Sequence, residues 1–320
     1  MMIGPAALPP PLLRVEAPGP FSLVQDLGRP GRRAFGVTPS GAMDRFALAA
    51  GNLLVGNAEN AAGLECALAG PSLVALSSCV LAVTGGDFQP TLNGEPVPGW
   101  TSLFLAQGDR LAFAGRRGGA RVYIAVAGGI AGERWLGSVA TQLLVGRGGL
   151  HGRALKAGDE LFPAGPVPRP VVAGQVLAEA SRPRYAEEPE LSAVAGPHAR
   201  RLDAPSRRSF YRERWAVSRD SDRMGYRLEG AELQIDGPDL VSFGLAMGCV
   251  QVPPSGQPIV LMADHQTAGG YPVVAGVVRA DLPLLAQLLP GDHLRFREVK
   301  VEAAQGEWRK LRAGLEALRR

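Results

Sequence analysis

An acid, an imidazole, an amide, a hydroxyl and a phenol fall within ten residues, ADHQTAGGYP at 263–272, between two strongly apolar runs. Such a segment reads as a polar loop joining two strands. Gly269 and Gly270 permit positive φ or the close approach of a ligand. Asp264, Gln266 and Thr267 fall at the end of the first strand, where a loop can hold a small molecule. His265 has the chemistry of a general base. However, the four histidines, His151, His198, His265 and His293, show no metal-ligand spacing, and no metal site is expected. A histidine alone in a loop is more often a bystander.

Three other segments carry similar chemistry. In QDLGRPG (25–31), Asp26 and Arg29 can meet across a tight turn, either as part of a site or as a surface ion pair. In SGAMDR (40–45), the amides of a helix start can hold an anion. Ser40 is the expected cap there, and Asp44 is a first-turn acid that suits the helix dipole. In SRDSDRMGYRLEG (218–230), Asp220, Asp222, Arg223, Tyr226 and Arg227 crowd around one glycine. Its arginines form either a salt-bridge lattice or a bidentate clamp for carboxylate or phosphate. Glu65 and Asp87 are acids in apolar surroundings, and a buried acid needs a partner. Asp87, after two glycines at a strand end, fits a site position or a satisfied turn equally.

The elements that must position these residues are mostly strands. The chain of 320 residues holds 42 glycines and 27 prolines without a collagen period, the mark of many turns between short strands. The pattern predicts a mainly β, β-rich α+β protein in two halves with a few short helices. A loose tail spans 1–12, a first β-rich domain 13–165, a proline-rich linker or crossing segment 166–190, a second β domain 191–301 and a terminal helix 302–320. VLAVTGG (80–86) and RVYIAVAGG (121–129) are strands ending in double glycines. A helix follows Ser40, with Met43, Phe46, Ala50, Leu53 and Leu54 on one face. DLPLLAQLL (281–289) is a short helix with Asp281 as its cap, and Trp308, Leu311, Leu315 and Leu318 share a face of the last helix. Gly-Asp-x-Leu recurs at 108–111, 158–161 and 291–294, each a turn feeding a strand.

Composition narrows the function. The net charge of +4 is scattered, and without a basic stripe interleaved with aromatics nucleic acid is not an expected partner. Cys66, Cys79 and Cys249 are odd in number and form no CxxC pair, so they read as buried free thiols of a reducing compartment. The first residues lack the basic region of a signal peptide, and no run of about 20 apolar residues can span a bilayer. A cytoplasmic location with no membrane partner is expected. Neither a phosphate-binding GxxxxGK[ST] loop nor a GxSxG nucleophile elbow occurs. No Met-Lys-Met surrounds any of the three lysines, Lys156, Lys300 and Lys310, so biotin is not carried by this chain.

Taken in order, QDLGRPG, PSGAMDR, GNLLVGN, LECALAGP, VAGGI followed by LGS, DRMGYRLEG, QVPPSGQPIVLMAD and HQTAGGYP resemble the allophanate hydrolase subunit 2-like family. This family includes the KipA proteins, the C-type subunits of 5-oxoprolinase and the carboxyltransferase region of urea carboxylase. The similarity runs from about Val15 to Phe296. It implies cyclophilin-like β-barrel character and a hetero-oligomer with two partners, a KipI-like protein and a lactam-utilisation-type protein. The implied reaction is the ATP-dependent opening of 5-oxoproline to glutamate, with ATP used in the complex. The resemblance also leaves two alternatives, a KipA-like regulator that binds a kinase inhibitor and a biotin-dependent carboxyltransferase subunit. Under the leading reading Asp264, Gln266, Thr267 and Arg223 are catalytic. Asp26, Arg29, Ser40, Asp44, Asp87, Tyr226, Arg227, Gly269, Gly270 and Tyr271 bind the lactam or amide substrate. Two positions depart from the family pattern: Ala268, where a second threonine is frequent, and Asp222, where asparagine is common.

Overall fold

The computed structural model describes residues 9–166 and 171–319; residues 1–8 of the expected tail and 167–170 of the expected crossing segment lie outside the described residues. The first half is a sandwich of two antiparallel sheets. One orders the strands Glu160–Leu161, Leu13–Ala17, Ser72–Ala75, Arg110–Phe113, Pro90–Leu92 and Glu95–Pro96. The other orders Phe21–Gln25, Gly63–Ala67, Gly118–Val126, Cys79–Asp87 and Thr101–Leu105. Leu13, Val15, Leu73 and Leu111 of the first sheet share one core with Leu64, Leu81, Val122 and Ile124 of the second. Helix α1 (Arg45–Leu54) covers the outer face of the second sheet through Ala47, Leu48, Ala50 and Leu54. Buried on both faces, strand Gly63–Ala67 is inaccessible at every position instead of alternately. Cys66 and Cys79 are free thiols in this half, and burial pushes their pKa values to about 12 and about 11, so neither is a nucleophile.

The second half is a closed barrel. Its strands run in the order Glu190–Ala195, Val273–Val277, Cys249–Gln251, Ile259–Leu261, Gly225–Glu229, Trp215–Val217 and His293–Glu298. The last pairs in parallel with the first, which removes both sheet edges. The barrel character is confined to this half. Helix α2 (Ala204–Arg212), capped by Asp203 through the Ser206 amide, delivers Phe210 to the barrel core. There it stacks on Phe296 with ring centroids 4.5 Å apart. Met43, just before α1, also enters this core, so the first half plugs the second.

The three Gly-Asp-x-Leu turns share one construction. Asp109, Asp159 and Asp292 each accept from the amide three residues earlier, at 2.7, 2.7 and 2.8 Å. Leu111, Leu161 and Leu294 are buried. One expected cap is corrected. Asp281 stands at the start of α3 (Leu282–Leu285), but its carboxylate makes no cap bond and accepts instead from the Ser192 amide at 2.6 Å. That acceptor ties α3 to the first barrel strand, a tertiary use that local spacing does not reveal.

Helix α4 (Val301–Ala317) leaves the barrel and returns to the sandwich. Leu311, Leu315 and Leu318 pack with Phe46 and Ala49, and Arg312 and Arg319 pair with Glu59 at 2.8 and 2.6 Å. The described part of the crossing segment also packs on the sandwich: Leu177 is buried beside Trp100, and the Tyr185 hydroxyl donates to Asp44 at 2.6 Å. Among the described residues, no helix is long and apolar enough to cross a membrane.

Candidate functional site

A cluster of buried charges lies where the two halves meet. Arg223, on the turn that precedes barrel strand Gly225–Glu229, is 8% exposed. Its Nε donates to Asp264 at 2.8 Å, its Nη1 pairs with Glu65, and its Nη2 donates to the Gly41 carbonyl at 2.6 Å. Burial opposes the Arg223 charge, but Glu65 and Asp264 outweigh it and hold its pKa above the ordinary value. Glu65 lies mid-strand in the sandwich and also accepts from the Met43 amide and the Tyr123 hydroxyl, both at 2.7 Å. The salt-bridge alternative read for 218–230 therefore holds for Arg223. Its Nε, Nη1 and Nη2 each bond within the chain, so of the two alternatives the clamp does not describe Arg223. Glu65 is the buried acid whose need for a partner is legible in its apolar sequence context but whose place at this junction is not.

The helix start is corrected in the same way. The N-cap of α1 is Asp44, whose Oδ1 accepts from the Ala47 amide at 2.9 Å. Ser40 sits four residues earlier in a turn at φ 54°, with its hydroxyl 3.4 Å from the Thr141 carbonyl. The Asp44 Oδ2 accepts from Tyr185 and from Gln287 Nε2, a residue of the second half, at 3.0 Å. Burial pushes the Asp44 pKa up against these hydrogen bonds. The Met43 and Asp44 amides just before the helix are used internally, by Glu65 at 2.7 Å and by the Tyr123 hydroxyl at 2.8 Å.

Asp26 and Arg29 do not pair across their turn. Asp26 accepts from the Gly28 amide, the Ser138 hydroxyl and the Val139 amide, each at 2.7 Å. Arg29, 1% exposed, donates to the Ala140 carbonyl and stacks on Trp135 at 4.8 Å; burial lowers its pKa. Both hold the 138–141 segment in place. The turn closes on PSGAMDR through Gly28 and Gly41, which face each other.

A cleft of about 580 Å³ opens beside this junction, walled by the turn after Leu27, by α1, by the barrel and by α4. Arg33, Arg45 and Arg279 line it with His265, Met43, Phe46, Leu282 and Trp308. The Arg45 Nη2 donates to the Ser40 carbonyl at 3.2 Å, the Arg33 Nη1 to the Leu245 carbonyl at 2.7 Å, and Arg279 lies 4.2 Å over Trp308. His265 is 1% exposed and its Nδ1 sits 2.6 Å from the Gln266 carbonyl, so the loop histidine is a buried part of the wall. Burial lowers its pKa, and Arg33 and Arg45 add to the effect against the opposing pull of the Gln266 carbonyl and Asp264. A folded-state pKa below the ordinary 6.5 means the neutral ring is stabilised. The stability this gives is present above the unfolded value and is lost as pH falls through the folded one. A urea midpoint measured from pH 7 down to 5 should fall more steeply in the native chain than in His265→Asn. Parallel curves would show that the ring titrates normally.

The opening loop divides between two faces. Asp264 and His265 point to the junction, whereas Gln266 and Tyr271 line an outer pocket of about 490 Å³ with Arg227, Asp220, Asp222 and Gln251. There Gln266 Nε2 donates to Gln251 Oε1 at 3.2 Å, and Asp222 accepts from the Met224 amide at 2.7 Å. Thr267 offers its carbonyl to the Leu245 amide at 3.0 Å. Neither Gly269 nor Gly270 has a positive φ. What approaches them is the chain: a Cβ would meet Leu245 Cδ1 at 3.0 Å and the Leu240 carbonyl at 2.8 Å respectively. Tyr226 is buried, its hydroxyl accepting from Arg121 at 2.8 Å and donating to the Leu288 carbonyl at 3.2 Å, a second tie between the halves. Asp87 is remote, in a depression beside Trp100 and Arg182. The candidate residues thus fall into a junction, a cleft, an outer pocket and one outlier. Arg45 belongs to SGAMDR, but no local signal joins it to Arg279, Arg33 and Trp308.

Over residues 35–298 the sequence matches the family described as "Carboxyltransferase domain, subdomain A and B". It is 38% identical over 301 residues to the 5-oxoprolinase C subunit of Haemophilus influenzae, covering 93% of this chain and 94% of that protein. Against the 5-oxoprolinase C subunit of Escherichia coli it is 40% identical over 295 residues, covering 92% and 93%. The crystal structure of the K. lactis urea amidolyase superposes with a TM-score of 0.91 at 28% identity, over 97% of this chain and 20% of that one. These matches agree with the resemblance carried by the ordered motifs. The chain belongs to the carboxyltransferase-domain family and contains both of its subdomains.

Proposed function

We propose that this chain is the C-type subunit of an ATP-dependent 5-oxoprolinase. Together with a KipI-like partner and a lactam-utilisation-type partner, it opens 5-oxo-L-proline to L-glutamate. The observation that carries the reading is identity: the chain is 38% and 40% identical to two 5-oxoprolinase C subunits but 30% identical to the yeast urea amidolyase. A lactam amide resists attack by water, and transfer of a phosphoryl group from ATP to its oxygen would make its carbon a better electrophile. ATP is a requirement of the assembled complex; this chain's contribution is a cleft that binds and orients, with guanidiniums for negative charge and an apolar wall. The chain mixed with its KipI-like and lactam-utilisation-type partners should release glutamate from 5-oxoproline only when all three proteins and ATP are present. A well-formed complex that releases none would overturn the proposal.

The fold likeness to urea amidolyase favours one second reading, a carboxyltransferase that uses carboxybiotin carried by another chain. It predicts carboxylation of urea or a related amide with a biotin carboxylase and carrier, and no glutamate release.

A further inference from the structure

We infer that the cleft between the halves is a seat for the carboxylate of a small cyclic acid, formed by Arg45 and Arg279 with Arg33 at its rim, and that it selects acidic lactams over neutral amides. The inference rests on the lactam reading above and names what that site recognises.

The charge in the cleft is unbalanced. Arg33, Arg45 and Arg279 are in no ion pair among the described residues, and the acids nearby are already engaged: Glu59 by Arg312 and Arg319, Asp264 by Arg223, Asp26 by two amides and a hydroxyl. Arg45 is partly buried, and its Nε has no hydrogen-bond partner. A buried guanidinium donor without an acceptor is costly, and here it stands beside a second guanidinium. Arg279 makes the Arg45 charge harder to keep, after burial itself. One carboxylate between the two guanidiniums would offset the repulsion, and guanidiniums suit a carboxylate because two parallel N–H groups match its two oxygens. Phe46, Leu282 and Trp308 supply an apolar wall beside these charges, the surroundings that ring methylenes require. A neutral amide such as urea has neither a charge for the arginines nor a ring for the wall.

Calorimetric titration of the chain alone tests this with L-5-oxoproline and with 2-pyrrolidinone, the same lactam without its carboxylate. The acid should bind about 10- to 100-fold more tightly than the neutral ring, and Arg279→Gln or Arg45→Gln should each abolish that difference. Arg279 is exposed, so its variant keeps the test open if the partly buried Arg45 variant misfolds. Equal affinity for the two lactams, or an unchanged preference in a folded Arg279→Gln protein, overturns the inference. So does competition by inorganic phosphate but not by a second small carboxylate, which would make the seat a phosphate site. Where the chain alone binds neither lactam, the KM of the assembled complex for 5-oxoproline is the readout: a rise of the same size in Arg279→Gln supports the seat, and no rise removes it. Turnover with an unmoved KM would leave the 5-oxoprolinase reading standing without the seat. Arginine-dependent binding of acidic lactams without turnover would leave the seat standing without the reading. Neither binding nor turnover would remove both.

Discussion

Replacing Arg223 by alanine should cost about 3–5 kcal/mol of folding stability, because it leaves Glu65 and Asp264 buried without their counter-charge. The loss arises less from the attraction removed than from two carboxylates stranded away from water. A triple change, Arg223→Met with Glu65→Gln and Asp264→Asn, should therefore recover much of it, since no charge is left to desolvate. Urea unfolding of the three proteins measures both effects. A single variant that loses less than about 1 kcal/mol would show the cluster to be solvated like a surface pair. The consequence for enzymology is direct. Loss of turnover in Arg223→Ala reports the collapse of the junction, and only the triple variant separates that from a chemical role.

The second large effect comes from a pair of glycines. Gly28→Ala should cost on the order of 2–4 kcal/mol, combining a left-handed backbone with a clash that has no flexible side chain to absorb it. Gly28 has a φ of +89°, and a Cβ there would stand 2.5 Å from the Ser40 carbonyl oxygen and 2.6 Å from that of Pro39. Gly41, at φ +92°, faces back with its own Cβ position 2.6 Å from the Gly28 nitrogen. Gly31→Ala is the control: φ is +82° but nothing lies within 4 Å, so only the backbone cost of about 1–2 kcal/mol applies. Thermal or urea midpoints of the two variants should differ accordingly. Equal losses would mean that the turn and the helix start move apart at little cost. Because this contact sets the position of Arg45, Gly28→Ala should also weaken binding of acidic lactams.

What the sequence revealed was whatever is encoded locally. The strands ending in double glycine, the apolar face of α1 and the three aspartate turns follow from short-range pattern, and each formed where its residues required. The motifs in order were enough to identify the family. What escaped was set by distance along the chain. Arg223 and Asp264 are 41 residues apart, but the third member, Glu65, is 158 residues from Arg223 in the other half. Local acids left Arg223 open between lattice and clamp, and its remote partners settle it as a strut. Ser40 and Asp44 are both good capping types, and spacing did not choose between them; the turn at Gly41 takes Ser40 out of position. The cleft arginines were harder still. Arg45 starts α1 and Arg279 follows a barrel strand, so only the docking of sandwich on barrel makes them neighbours, and the local acids Asp44 and Asp281 turn to other partners.

The return of α4 to the sandwich bears on how the molecule comes apart. Its leucines share a cluster with α1, and Glu59 of the first half holds two of its arginines. Met43 meanwhile reaches from the sandwich into the barrel core. Each half thus completes the other's interior, and neither is a closed body by itself. Melting should be a single transition in which sandwich and barrel are lost together. A protease cut within the described crossing segment, 171–189, would sever the chain without releasing either part. The peptide linking the halves sets their order in the gene, and side chains set their cohesion.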